Sequence, residues 1–235
     1  MTTAWPVQTR ILGVLRRPRA TFEALAAAPR SAGVLAIAFL AAVSAGAPVL
    51  ETEVGELALV DQLDRAASAF GEPVDAAQYA ALQEISQHGT AYAAITSLVS
   101  GPLLAAGLSA ALVAILRAPP GRTVTYRQML AIASHAGVIL ALRQVLAAPM
   151  IYASEAMASP VTLGLFFTLL DDGSPVGRFA GLVDLFVIWW IVVLAIGVSV
   201  LYARPAARLA MTFAGIYVLL AALAALAVAA AGGAA

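Results

Sequence analysis

Five apolar runs, each about as long as a bilayer-crossing helix, constrain this chain more than any other feature of its sequence. They cover residues 31–50, 91–116, 129–151, 179–203 and 209–231. The hydrocarbon core of a bilayer is about 30 Å thick and needs roughly 20 apolar residues in a helix. Because backbone polar groups find no water there, each run has to be helical. The sequence therefore predicts an all-α, polytopic membrane bundle with five transmembrane helices.

Composition supports that class and excludes several others. Apolar residues make up 62% of the 235 residues and charged residues 11%, whereas a soluble domain is about half apolar and a quarter charged. So little polar surface excludes an ordinary soluble enzyme, a disordered chain and a nucleic-acid binder. The chain has no cysteine, which excludes disulfides, iron–sulfur clusters and cysteine zinc sites, and we expect no cofactor.

The arginines, which supply all 13 basic residues, are unevenly distributed between the predicted loops. Ten lie before the first run, between the second and third, or between the fourth and fifth, while only Arg65 and Arg178 lie on the opposite side. By the positive-inside rule we expect a protein of the inner membrane with its N-terminus in the cytoplasm and its C-terminus outside. A cleaved signal peptide is the alternative for the first run, but its apolar core exceeds the usual length of roughly 7–15 residues.

Residues 1–30 are predicted to form a cytoplasmic amphipathic segment, ahead of a five-span membrane domain over residues 31–235. Apolar residues between positions 11 and 15 form one face, and Pro18 divides the segment. This pattern is typical of a kinked helix on the membrane surface. Three arginines are interpreted as contacts to anionic lipid headgroups, the alternative being a topological anchor without lipid preference. They are Arg16, Arg17 and Arg19.

The outer segment over residues 51–89 is acidic, with eight carboxylates against Arg65 alone. Its apolar spacing predicts a helical outer loop, in which one amphipathic helix ends near residues 71–73 and a second begins at Asp75. No calcium-loop pattern is present. We interpret the acids as a solvated polar face, with cation binding as the alternative.

Hydroxyl side chains predict three further helix starts. Thr125 and Gln128 have the spacing of a capping box. Ser159 and Ser174 each precede a proline, which favours the first turn of a helix. The apolar stretch over residues 161–170 is too short to span and is predicted to be a short helix that lies at, or dips into, the outer interface.

Arg143 and Asp184 are charged residues inside two of the apolar runs. Each costs free energy in the bilayer and is expected to face a partner. At 1.5 Å per residue, both lie about 7–10 Å below the outer end of their runs. We therefore predict an Arg143–Asp184 ion pair between the third and fourth spans. A packing role is the main interpretation; a substrate or proton-coupling role and snorkelling of Arg143 to the outer interface are the alternatives.

Four other residues within the apolar runs, one histidine and three aromatic residues, also carry predictions. His135 is a candidate for a polar relay, the alternative being a hydrogen bond to a backbone carbonyl or a serine. Phe186, Trp189 and Trp190 fall within a span rather than at its edges, so they are predicted to fill the helical core. No metalloprotease, nucleophile-elbow or Walker motif is present, and we expect no enzymatic activity and no metal site.

Four stretches together resemble the Yip (Ypt-interacting protein) domain family in its prokaryotic branch. They are residues 17–25 (RPRATFEAL), 121–136 (GRTVTYRQMLAIASHA), the pair at 159–160, and 184–197 with its DLFVIWW block. The resemblance implies a five-span fold with the N-terminus inside. Eukaryotic members associate with prenylated small GTPases and form oligomers, but that partner class does not transfer to this chain. The family supplies no catalytic residues.

These observations favour a non-enzymatic membrane scaffold, adaptor or lipid-organising protein of the Yip-domain type. Its expected partners are the bilayer and a second copy or another membrane protein, with no nucleic acid. The alternative is a transporter of small solutes or ions that uses Arg143, Asp184 and His135. A third interpretation is a lipid-handling groove open to the bilayer. Water around the ion pair would favour transport, and a dry, mutually satisfied pair would weigh against it.

Overall fold

The structure is a computed structural model that describes residues 6–68, 74–155, 161–166 and 174–232. Across these residues every regular element is a helix, and five helical segments are long and apolar enough to cross a membrane. The predicted all-α, five-span architecture is thereby confirmed. The spans are Ala32–Leu50, Gly89–Ile115, Tyr126–Ser154, Leu185–Tyr202 and Ala206–Ala230.

Two of these spans are built from more than one helix. The first is α3 (Ala32–Leu50). The second contains α6 (Gly89–Leu98) and α7 (Leu104–Ile115), joined through a wider π turn that holds Pro102, a residue that cannot donate to the helical ladder. The third contains two helices, and the fourth and fifth are one helix each. These are α8 (Tyr126–Ala136), α9 (Val138–Ser154), α11 (Leu185–Tyr202) and α12 (Ala206–Gly232).

Shorter helices precede and connect the spans. At the N-terminus lie α1 (Val7–Arg16) and α2 (Pro18–Ala27). The acidic segment forms α4 (Glu53–Ala67) and α5 (Ala76–Ser86), and α10 (Pro175–Leu182) precedes the fourth span. A 3₁₀ turn lies at Leu163–Phe166.

Side-chain caps begin several helices where the sequence predicts them. Asp75 and Thr125 each form a full capping box, and the Ser174 hydroxyl accepts from the Gly177 N–H at 3.0 Å. These three starts are confirmed. The predicted break at residues 71–73 and the predicted start at Ser159 lie outside the described residues.

The predicted fourth span, residues 179–203, is wrong at its beginning. Helix α10 ends at Leu182, Val183 is extended, and α11 begins only at Leu185. The extended backbone pairs with a neighbouring segment: Leu163 N–H donates to the Val183 carbonyl at 2.9 Å, and Leu185 N–H donates to the Val161 carbonyl at 3.0 Å. Because these groups find partners outside the helix, the helical ladder is interrupted here.

The first of two compact units comprises Met1–Ala41, Ser97–Leu142 and Val187–Gly215. Its core includes Phe22 of α2 and Ile132 of α8, both fully buried. A side chain at Gly197 of α11 would collide with Ile132 and crowd the Phe22 ring. Gly197 thus leaves room for the Phe22 ring. Phe22 belongs to the N-terminal segment that the sequence predicts at the membrane surface, so one side of that segment packs against protein.

The second unit comprises Ala42–Thr96, Arg143–Phe186 and Ile216–Ala235. Leu50, Leu59 and Ala93 form a small buried cluster. Gly55 and Gly89 pass so close to the backbone around Leu50 that a Cβ at either position would overlap main-chain atoms. The end of α3 is thus fixed against α4 and α6.

Candidate functional site

Arg143 and Asp184 form an ion pair within the second unit. Arg143 lies on α9, and its Nε is 2.7 Å from Oδ2 of Asp184, which lies in the break before α11. The Asp184 side chain is only 7% exposed and that of Arg143 30%. The structure therefore places together the two charged groups that the sequence predicts as partners, in a setting largely closed to solvent.

The remaining polar groups of Asp184 organise the break between α10 and α11. Its Oδ1 accepts from the Phe186 N–H at 2.7 Å, which satisfies a free donor at the start of α11. Its own N–H donates to the Tyr217 hydroxyl at 2.9 Å, and that hydroxyl donates to the Leu182 carbonyl at 2.8 Å. Helix α12 thus closes the break through one side chain.

Tyr217 is a member of this cluster that sequence reasoning missed. The available signal was a phenol in the middle of a span that consists mostly of alanine, leucine and valine. The hydroxyl of this partly buried tyrosine has two hydrogen-bond partners, one on each side of the break. We refer to Arg143, Asp184 and Tyr217 as the clasp.

Both oxygens of the Asp184 carboxylate contact other groups of the protein. One carboxylate oxygen neutralises a cation and the other caps a helix, so each has a partner within the protein. Because both oxygens are engaged within the protein, they are less available to a ligand. Across the described part of the chain, no group of three or more His, Cys, Asp or Glu residues could hold a metal ion.

His135 lies in the first unit and is completely buried. Its Nδ1 is 2.7 Å from the Ala131 carbonyl, and its Nε2 is 3.4 Å from NH1 of Arg10. A guanidinium can only donate, so Nε2 accepts and the ring proton is assigned to Nδ1. Both ring nitrogens therefore have protein partners, and the polar relay stays a prediction. Nothing in the local sequence signals the Arg10 contact.

The aromatic prediction needs a correction at one position. Phe186 and Trp190 are partly buried, but Trp189 is 38% exposed and so does not fill the core. The buried side of α11 follows Ile191, Leu194 and Val198. Trp189 precedes Ile191 by two residues, which places it on nearly the opposite face of the helix.

The three predicted lipid-contacting arginines are all exposed. Arg16 and Arg17 lie at the junction of α1 and α2, and Arg19 pairs with Glu23 at 3.2 Å one turn along α2. An exposed pair of this kind contributes little to stability. Contact of these arginines with anionic lipid stays a prediction.

One comparison with known proteins gives a match, and it covers nearly the whole chain. The sequence model of the Yip1 domain matches residues 12–229, which include all three residues of the clasp. No curated protein and no solved structure shows significant similarity to the chain. With five apolar helices and a family match of this extent, the chain is an integral membrane protein that belongs to the Yip1 domain family.

Proposed function

We propose that this Yip1-domain protein has a non-enzymatic role in the membrane, either as a scaffold or adaptor that holds a second copy or another membrane protein, or as a protein that organises lipid. The observation that carries the proposal is the double use of Asp184, whose two oxygens serve Arg143 and the start of α11. Because these intramembrane charged groups bind one another and a helix end, they favour a structural role over the binding of a substrate.

The alternative, transport of a small solute or ion, needs its polar groups to be accessible. Asp184 is nearly inaccessible, and both nitrogens of the buried His135 are engaged. Polar groups on an intramembrane pathway normally face one another across a water-filled cavity. The contacts of these residues therefore support the scaffold over the transporter.

The proposed location is the inner membrane of a prokaryote, with the N-terminus in the cytoplasm. The support is the excess of arginine on one set of loops, together with a composition rich in alanine and without lysine.

The orientation can be tested with single introduced cysteines, because the chain itself has no cysteine. With a membrane-impermeant maleimide applied from outside, Q87C should react and R122C should not; the reverse pattern would overturn this orientation.

The scaffold role is tested by purification in mild detergent and by reconstitution. Native mass spectrometry should show an assembly of defined stoichiometry, either with itself or with a membrane-protein partner. Proteoliposomes with the wild-type protein and with D184N should show the same leak of small ions and solutes. A flux that requires Asp184, from a protein that is otherwise monomeric, would overturn the proposal.

A further inference from the structure

A cavity of about 450 Å³ lies in the first unit, beside the beginning of the first span. Three arginines from three different segments line it: Arg10 of α1, Arg30 before α3, and Arg127 of α8. Among the residues that the structure describes, no acidic side chain contributes to the lining. We call it the arginine cavity.

The protein does not neutralise this concentration of positive charge. Within the described ranges, none of the three arginines forms an ion pair. NH1 of Arg10 contacts two neutral acceptors, the Arg30 carbonyl and His135 Nε2, each at 3.4 Å. The Nε of Arg10 is buried without a hydrogen-bond partner among these residues. Burial and the nearby charge of Arg30 lower the pKa of Arg10, so the cation is held at a cost in free energy.

The backbone at the start of α3 adds to the positive electrostatic potential in the arginine cavity. Residues 31–33, at the start of the 19-residue helix α3, also line the cavity. The first N–H groups of a helix have no partner within it, and its N-terminus carries a partial positive charge. Helix N-termini combined with arginine side chains are a common way to bind phosphate, because guanidinium groups match phosphate oxygens in pairs.

We propose that the arginine cavity binds a phosphate group, carried by the headgroup of an anionic phospholipid or by a soluble phosphorylated molecule. Both sources share a compact anion with several acceptor oxygens. The cavity lies where the first span begins. Since the ends of a span of this length lie near the lipid headgroups, we expect that either source can reach it. The inference does not depend on the scaffold role.

The test uses the full chain in detergent or nanodiscs with two matched triple variants. One is R10Q/R30Q/R127Q in the cavity; the other is R117Q/R122Q/R208Q, at three exposed positions outside its lining. Each removes three positive charges. Since a charge-assisted hydrogen bond contributes about 1.5–3 kcal/mol, loss of the cavity arginines should weaken phosphate binding by at least roughly tenfold. The exposed triple should change it less than threefold.

Binding is measured by native mass spectrometry with phosphatidic acid and with phosphatidylcholine, and by thermal shift with inorganic phosphate in lipid-free micelles. Selective retention of phosphatidic acid identifies a lipid headgroup, whereas stabilisation by inorganic phosphate alone identifies a soluble ligand. Equal losses in the two triples would show general surface attraction and overturn the proposal. Absence of any binding to the wild type would overturn it as well. R127Q alone, at an exposed position, repeats the test should the triple variant fail to fold.

Discussion

Arg143 and Arg10 are both arginines enclosed by helices, yet their surroundings are opposite in charge. Arg143 meets the carboxylate of Asp184 at 2.7 Å. Arg10 meets a carbonyl and an imidazole nitrogen at 3.4 Å and shares a cavity with two further arginines. Pairing an enclosed charge with an opposite charge satisfies it internally, whereas surrounding it with neutral acceptors and like charges leaves a field for an external anion.

The comparison teaches how to distinguish a structural charge from a binding charge in a membrane protein. At the clasp, each group has a partner and the arrangement is complete. At the arginine cavity, positive groups converge without a counter-charge among the described residues. The first arrangement should respond to mutation through stability, and the second through ligand binding.

The largest effect is expected from removal of the clasp carboxylate. D184A leaves Arg143 without its anion and the start of α11 without its cap, and breaking an enclosed pair costs about 3 kcal/mol or more. R10A should lower the free energy of unfolding by only about 1 kcal/mol, because it removes hydrogen bonds to two neutral acceptors and leaves no charge unpaired. Reversible unfolding in mixed micelles measures both. A larger loss of unfolding free energy from R10A than from D184A would contradict the distinction between the clasp and the arginine cavity.

A smaller effect is expected from filling the space at Gly197, on which the packing of α2 in the first unit depends. G197A would force the Phe22 ring and Ile132 to move, and overpacking of this kind costs about 1–3 kcal/mol. At Gly215 no atom lies within 4 Å of the added Cβ, so G215A is the matched control and should be neutral or slightly stabilising. Equal unfolding temperatures for the two variants would contradict this packing.

Removal of the Tyr217 hydroxyl should destabilise the protein by about 1 kcal/mol, because Y217F leaves the Asp184 N–H and the Leu182 carbonyl without their common partner. The same substitution at Tyr152, which is exposed near the end of α9, serves as the control. A Y217F protein as stable as the wild type would show that α12 does not hold the break closed.

The smallest effect concerns Glu51, a carboxylate outside the spans. Hydrogen bonds from the Thr90 hydroxyl at 2.7 Å and N–H at 2.8 Å lower the pKa of Glu51 below its ordinary value of 4.5. Its stabilising contribution is therefore complete above about pH 4.5 and is lost as the pH falls through the lowered pKa. Between pH 6 and pH 3, the melting temperature of E51Q should fall less steeply than that of the wild type. Parallel curves would contradict this assignment.

The sequence alone could predict the spans and the central pair because the bilayer imposes strong constraints. Apolar length determines the spans, and two opposite charges at matched depths in neighbouring runs have few other partners. The break at Val183 could not be predicted, since its cause is pairing with residues 161–163, far away in sequence. The Arg10–His135 contact joins residues 125 positions apart, and no local pattern encodes it.

The central claim, that Arg143 and Asp184 act as one structural unit, is tested most directly by a double-mutant cycle. R143Q and D184N remove the charges, and the asparagine oxygen can still cap α11. The account predicts a coupling free energy of at least about 1 kcal/mol between the two positions, with the double variant more stable than the sum of the single losses implies. Additive losses, within about 0.5 kcal/mol, would contradict it.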